Sequence, residues 1–488
     1  MVLGRREGLL LSALLLVACD PDPTPDPPAS DGGALDAGRD STVSDAGPPV
    51  LDAGPRRDAG PLPDAGPPPD WPDSRAWEWV RENPMFISAL TVRMGEPPAP
   101  AVDGYFDGFG ANAIHLWETA LPTELAGWHA HRPGARWLTW VHSDGTNRNN
   151  GMVAGGVAPG LDGRIGYQIG DEPVTSEAMN EILGGLATIA AFDPGGLRVV
   201  NFSYERAPDI VDYTDRYCAS GMGDVISYDL YSRSNRHYEQ LAFFRDVGLR
   251  CGMPYWRFIK GYIGGADDEI QSESDMRWAA FIGLTYGYTG HSWFLYLVGG
   301  GGAEGIPSTF FTDTESWTSG TTPRFALAAQ INAELEVYGR TVTQLLSTDV
   351  GWATDTPIAG AHPPEGAPLF NNSMDPYLSD VTLEGRLVDA LLGFFVDVRG
   401  DRYVIVQNPN HTEGSFPTEG DDRLRGTLTF DFAGAPPTLD TGRVHVLNGQ
   451  TGVVEDRALS AGSLSVDLAA GDLMLFKYAT GRPFAGYE

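Results

Sequence analysis

Two carboxylates in this chain sit where a reacting group would have to sit. Residues 165–173 read I-G-Y-Q-I-G-D-E-P. Ile165, Tyr167 and Ile169 alternate there with Gly166, Gln168 and Gly170, the two-residue period of a strand. If the larger apolar parity faces outer packing partners, the other parity carries Glu172 inward at the strand's C-terminal end, just before Pro173 stops it. In residues 224–231, Ile226, Tyr228 and Leu230 share one parity, and Val225, Ser227, Asp229 and Tyr231 share the other. The same argument points Asp229 inward. Two carboxyls can divide labour, one giving up a proton while the other attacks or activates water. A plainer alternative makes the acidic pair a loop that caps the next helix, which suits Asp171 and Ser176 better than Glu172. Asp229 could equally orient a neighbour or bond a ligand hydroxyl.

The elements that must position these groups repeat. From Met85 onward, short apolar runs at 86–90, 113–117, 137–142, 165–171, 197–204, 224–231, 254–262 and 292–297 alternate with helical stretches. The clearest of those stretches are 176–192, 236–247 and 274–288, and a last one, 324–338, follows the eighth run. Eight strand-then-helix units in about 250 residues predict a (β/α)8, or TIM, barrel over residues 71–346. Barrel enzymes carry their reacting groups at the C-terminal ends of the strands, where Glu172 and Asp229 fall. One unit fails the pattern, because 142–165 makes no convincing helix and reads as an irregular loop. The glycine-rich run 299–322 reads as a second long loop on the same face. A doubly wound open sheet is the competing fold, but no G-x-G-x-x-G opens a helix.

Beyond residue 347 the period changes. Runs at 392–398 and 403–408 flank Arg399-Gly400-Asp401-Arg402, a hairpin signal. Leu428, Phe430 and Phe432, then Leu464, Val466 and Leu468, alternate with polar residues, and Gly471-Asp472 turns into 473–478. With no helix between them, these predict a linker and a small all-β antiparallel sandwich over 347–488.

A barrel followed by an all-β domain ending G-D-L-M-L-F-K-Y resembles many glycoside hydrolases. Gly170-Asp171-Glu172-Pro173 resembles the Asn-Glu-Pro of clan A glycosidases, whose glutamate is the general acid/base. The eighth unit, from Arg277-Trp278-Ala279-Ala280 through Gly287-Tyr288-Thr289-Gly290 to Trp293 and Tyr296, resembles β-galactosidase-like members. Two departures matter. Asp171 stands where the clan has an asparagine that bonds the sugar 2-hydroxyl. The clan's nucleophilic glutamate on strand seven has no counterpart in P-Y-W-R-F-I-K-G-Y. Other clans, such as the α-galactosidase-like one, draw carboxylates from strands four and six, so Asp229 becomes the second catalytic carboxylate beside Glu172.

The expected rim is also aromatic. His115 and Trp117 end strand two, Trp140 and His142 strand three, Tyr231 strand six, and Trp293 and Tyr296 strand eight. Sugar rings pack their C–H faces on such planes, and with Asp171 these residues form the expected carbohydrate-binding set. The expectation is therefore a glycoside hydrolase acting on a poly- or oligosaccharide. The alternatives are a barrel that binds glycan without cleaving it, and a surface scaffold without a site.

Arg5 and Arg6 precede an apolar run, 9–18, too short to span a membrane and typical of an export signal. Leu16-Val17-Ala18-Cys19 resembles the lipobox of bacterial lipoproteins. That resemblance implies cleavage after residue 18, lipid on Cys19, and anchoring in the bacterial envelope, at the inner or outer membrane. Residues 20–70 are dominated by Asp, Pro, Ala and Gly, with Asp-Ala-Gly recurring, and predict a disordered stalk within the segment 19–70. The net charge of −32 argues against nucleic acid as a partner. No Cys/His spacing suggests zinc, no phosphate loop appears, and neither cofactor nor metal is expected. A monomer is expected. Cys218 and Cys251 each precede a strand, and the two strands are neighbours, so they read either as a disulfide or as two buried thiols.

Overall fold

The computed structural model describes residues 71–117, 121–143, 162–231, 236–262, 272–299, 308–354, 363–364, 366–384, 389–411 and 423–488. The expected export signal, Cys19 and the stalk lie outside them, as do most of the loop after the third strand, 144–161, and part of the loop after the eighth, 300–307.

Eight parallel strands close on themselves in sequence order, the last pairing back on the first. They are β1 (Phe86–Val92), β2 (Ile114–Trp117), β3 (Trp137–Val141), β4 (Arg164–Ile169), β5 (Leu197–Phe202), β6 (Val225–Asp229), β7 (Tyr255–Lys260) and β8 (Gly290–Val298). Around them lie α1 (Arg75–Glu82), α2 (Ala99–Asp103), α3 (Leu121–His131), α4 (Ser176–Phe192), α5 (Ile210–Ser220), α6 (Arg236–Cys251), α7 (Glu273–Tyr286) and α8 (Pro323–Val342). The architecture is a TIM barrel.

Local chemistry explains the helix ends. Thr175 caps α4, its hydroxyl accepting from the Ala178 amide at 3.1 Å, while Met179, Ile182, Leu186 and Ile189 bury one face at helical spacing. Ser272 and Asp275 form a reciprocal capping box on α7, and Gly287, at φ 89°, ends that helix in the left-handed region.

The lower interior of the barrel is a cluster from successive strands: Phe86, Leu138, Ile165, Val199, Val225 and Trp256. Phe86 stacks on Trp256 at 4.6 Å, and Ala76 and Trp79 of α1 pack against the cluster. The simple alternation places Ile165 with Tyr167 and Ile169 against the helices. The structure puts it inside instead, because the ladder between β3 and β4 slips by one residue between Arg164 and Gly166. From Gly166 onward the expected parity holds, with Tyr167 and Ile169 in the outer core and Gln168 turned inward toward His115. Cys218 and Cys251 are disulfide-bonded, with Cα atoms 5.5 Å apart, tying the C-terminal ends of α5 and α6 together.

The remaining chain is antiparallel: β9 (Leu345–Thr354), β10 (Leu378–Glu384), β11 (Asp389–Asp397), β12 (Arg402–Gln407), β13 (Leu424–Phe430), β14 (Arg443–Leu447), β15 (Val454–Ala458), β16 (Ser463–Leu468) and β17 (Leu473–Tyr478). They form a three-stranded sheet, β10-β13-β16, and a six-stranded sheet, β15-β14-β17-β12-β11-β9. The two-residue period divides the larger sheet between two cores. Leu391 and Phe395 of β11, Tyr403 and Ile405 of β12, and Leu475 of β17 join the barrel's outer core. Leu392, Phe394, Val404, Val406 and Phe476 face the three-stranded sheet. A sheet buried on both faces reads as the continuous apolar run L-L-G-F-F-V.

Gly393 marks how closely that sheet presses on α7, since a Cβ there would lie 2.1 Å from the Thr285 carbonyl oxygen. Gly393→Ala is expected to destabilise the protein by about 1–3 kcal/mol, as overpacking does elsewhere, read as a lowered denaturant midpoint at unchanged slope. An unchanged midpoint would mean that the sheet can ride away from α7 at no cost.

Candidate active site

The C-terminal end of β4 is built by two left-handed residues. Gly170 has φ 64°, and a Cβ there would come within 2.8 Å of Ile182. Glu172 itself has φ 40°, a conformation that disfavours side chains and persists only where surroundings impose it. The Glu172 amide donates to the Asn201 carbonyl at 3.0 Å, which fixes the turn against the end of β5. The turn directs the Glu172 carboxylate at the guanidinium of Arg206, with which it forms an ion pair.

On β6, Val225 belongs to the barrel interior, while Ile226 and Tyr228 belong to the outer core. Asp229 therefore ends the strand on the interior parity, as expected. Asn201 of β5 ties the acidic groups together: its Nδ2 donates to Asp171 Oδ1 at 2.9 Å and to Asp229 Oδ1 at 3.1 Å. Ser227 Oγ donates to Asn201 Oδ1 at 3.2 Å and so sets the orientation of that amide. Gln168 Nε2 adds a bond to Asp171 Oδ1 at 3.2 Å. Glu172 and Asp171 are the charged neighbours that act on Asp229.

Three carboxyls this close cannot all ionise freely. Burial, then the charges of Glu172 and Asp171, hold Asp229 well above the usual carboxylate range. Burial of its carboxyl and the Glu172 charge also raise Asp171. Asp171 as a residue keeps substantial contact with water, so solvent screening weakens that rise and Asp229 is the more strongly perturbed of the two. The raised Asp229 favours its protonated form, while Glu172 pairs with the Arg206 cation.

The aromatic residues divide three ways. Tyr231 stands beside the acidic cluster, packed on Tyr262 at 5.3 Å and Phe294 at 5.5 Å, its hydroxyl pushed well up by burial and then by Asp229. Trp117 stacks on Trp140 at 4.8 Å, and His142 meets Trp140 at 4.6 Å, making a second group at the ends of β2 and β3. The others lie elsewhere than expected. His115 is inside the barrel, stacked on Phe258 and 3.1 Å from Ser292 Oγ; burial lowers its pKa to about 3, so it is a neutral core residue. Trp293 and Tyr296 do not line the rim. Trp293 Nε1 donates to Asn332 of α8 at 2.8 Å, and Tyr296 packs among Tyr105, Phe109 and Phe311. Both face the outer core: Trp293 because Ser292 takes the inner side, and Tyr296 because the β1–β8 ladder shifts register between Ala89/Trp293 and Thr91/Leu297, which breaks the simple alternation.

Asn201, Arg206, Gln168 and Lys260 were not singled out by the sequence reading. Asn201 and Gln168 had a usable signal, a polar amide on the interior parity of an apolar strand. Lys260 ends β7 on the parity of Trp256 and Phe258, 5.1 Å from the Tyr262 ring, where the resembling clan has its glutamate. Arg206 lies in the segment after β5 and carried no pattern at all. Among the described residues no group of three or more His, Cys, Asp or Glu is arranged to hold a metal ion.

No protein-family model matches the chain, and no curated protein does. Solved structures of glycoside hydrolases are similar to it in fold. A putative α-galactosidase from Bacteroides fragilis aligns at TM-score 0.44 and 9% identity, over 81% of this chain and 79% of that one. A glycoside hydrolase family 30 subfamily 8 xylanase from Clostridium acetobutylicum gives 0.38 and 9%, over 81% and 96%. A noncanonic maltogenic α-amylase from Thermotoga neapolitana gives 0.37 and 10%, over 80% and 98%. Similarity at this level concerns the layout of strands and helices, and says nothing about chemistry.

Proposed function

We propose that the chain is a glycoside hydrolase acting on a poly- or oligosaccharide, with Glu172 and Asp229 as its catalytic carboxyls. The observation that carries this is their convergence at the C-terminal end of the barrel, where Asn201 bonds Asp229 and the Glu172 charge acts on it. Glycosidic cleavage needs one carboxyl holding a proton and one carrying charge. The surroundings favour Asp229 for the first role and Glu172, paired with Arg206, for the second, the reverse of the assignment implied by the clan A resemblance.

In this scheme substrate enters above the pair and parts it. Asp229 gives its proton to the glycosidic oxygen as the bond to the anomeric carbon breaks, and Glu172 attacks that carbon to form a glycosyl ester. Asp229, now ionised, takes a proton from water, whose oxygen displaces Glu172 and frees the sugar. This two-step, retaining course requires the parted carboxyls to stand closer than those of an inverting pair, which must admit a water between them. Asn201 is a positioning residue, holding Asp171 and Asp229 on one amide. Hydrolysis of a broad glycan panel by the full chain, lost in Glu172→Gln and Asp229→Asn, tests the proposal. A wild type that binds glycan yet releases no sugar would replace it with the non-catalytic alternative.

The same proposal places the protein on the bacterial envelope through lipid on Cys19. No helix among the described residues is long and apolar enough to cross a membrane. Cys19→Ser is expected to move the processed protein from the membrane to the soluble fraction, scored by fractionation and blotting. A processed Cys19→Ser protein that stays with the membrane would refute the anchor.

A further inference from the structure

Arg257 is the odd residue of β7. It is 1% exposed and lies on the outer parity, between the strand and helices α6 and α7. Its Nη2 is 2.9 Å from His237 Nε2. Its Nε and Nη1 have no partner among the described residues, and neither does either ring nitrogen of the neighbouring His291, which is fully buried. Gly283 of α7 leaves the space they occupy, since a Cβ there would lie 2.6 Å from His291 Nε2. A buried guanidinium without a counter-charge is costly, and such a charge is normally neutralised by something.

The place for that counter-charge is a cavity of about 10 Å³ lined by Arg257, Lys260, His237, Tyr231, Asp275 and Trp278. It has room for one water-sized occupant. His237 and Asp275 sit in the first turns of α6 and α7, so two helix N-termini, of 16 and 14 residues, add positive potential there. Asp275 is the carboxylate of the lining; one of its oxygens meets His411 Nδ1 at 2.7 Å and the other accepts from the Ser272 amide at 3.0 Å.

We infer that this cavity is a binding site for a small monovalent anion of the halide class, held by Arg257 beneath Tyr231. The inference stands apart from the glycosidase proposal, since it concerns a site behind the β6–β7 wall and its test reads no catalysis. The probe is chloride against gluconate at matched ionic strength, with the thermal midpoint of the full chain as readout. Chloride is expected to raise the midpoint saturably between roughly 1 and 100 mM, as ligand linkage requires, and Arg257→Met is expected to abolish the difference. Crystals of the unaltered protein grown with bromide should show an anomalous peak within bonding distance of Arg257, a result that does not depend on the variant folding. Equal midpoints in chloride and gluconate would overturn the inference, as would a cavity filled by water or by a side chain of the protein. A bromide peak without any halide dependence of the midpoint would mark an adventitious ion only, and would overturn it too.

Discussion

Asp229→Asn is expected to remove glycan turnover by about 10²-fold or more and, at neutral pH, to make the protein more stable. Asparagine is close in shape to a protonated aspartic acid. It keeps an oxygen for Asn201 and brings an N–H that can donate to Glu172, so the network survives while the transferable proton is lost. The stability gain has a defined pH course. A carboxyl whose folded pKa is raised binds its proton more tightly in the native state than in the unfolded chain. Its ionisation therefore costs stability as pH climbs from the unfolded value of about 3.9 to the folded one, and the cost is constant above that. The Asp229→Asn gain should be absent below about pH 4, grow across that interval and then level off, measured by denaturant midpoints of both proteins. A variant as active as wild type, or a gain that is largest in acid, would remove Asp229 from the acid role.

Glu172→Gln separates the two roles. Gln keeps the reach of the side chain but cannot attack an anomeric carbon, so every substrate should suffer by about 10²-fold or more. Asp229→Asn should suffer least with activated leaving groups, which need little protonation. If the leaving-group dependence appears instead in Glu172→Gln, the two assignments exchange, and the clan A role for Glu172 stands.

The largest expected effect on stability comes from Arg277. Its guanidinium forks onto Glu334 of α8, at 3.0 and 2.6 Å, and its Nε reaches Asp472 beside β17 at 3.0 Å. Glu334 is 5% exposed, so losing the cation leaves a buried carboxylate with no counter-charge at the place where α7, α8 and the larger sheet meet. Arg277→Met should cost about 3–5 kcal/mol, the usual range for breaking a buried pair on one side. Removing the orphan as well, in Arg277→Met with Glu334→Leu, should recover much of that loss, because the penalty lies in the unpaired charge. A loss below about 1 kcal/mol in the single variant would mean that water already reaches the triad.

Much of the fold was legible because it depends on period. The apolar runs at 86–90 and 165–171 and the helix at 176–192 announce themselves through local spacing, and Gly400 and Gly471 mark turns by their backbone freedom. Asp229 was legible for the same reason, since parity along β6 decides which way its side chain points. Glu172 lies past the end of β4, where the left-handed turn at Gly170 and Glu172, not strand parity, aims it. His115, Trp293 and Tyr296 show the limit. An aromatic residue near a strand end reads alike whether it lines a rim, fills the barrel or packs under a helix. Trp293 takes the outer side of β8 beside Ser292, which meets His115 across 177 residues of sequence, and Tyr296 takes it only because the β1–β8 ladder breaks the alternation.

By itself the sequence determined the order of elements, the change from barrel to sandwich, and the inward aim of Asp229, all of them consequences of local period and turn chemistry. Only the tertiary structure decided that Asn201 would bond Asp171 and Asp229 together, that Arg206 would pair with Glu172, and that Asp229 would be held well above the usual carboxylate range. Strand closure brings together the ends of β4, β5 and β6, and a proton's position depends on burial and on neighbouring charge, neither of which a single strand's sequence contains.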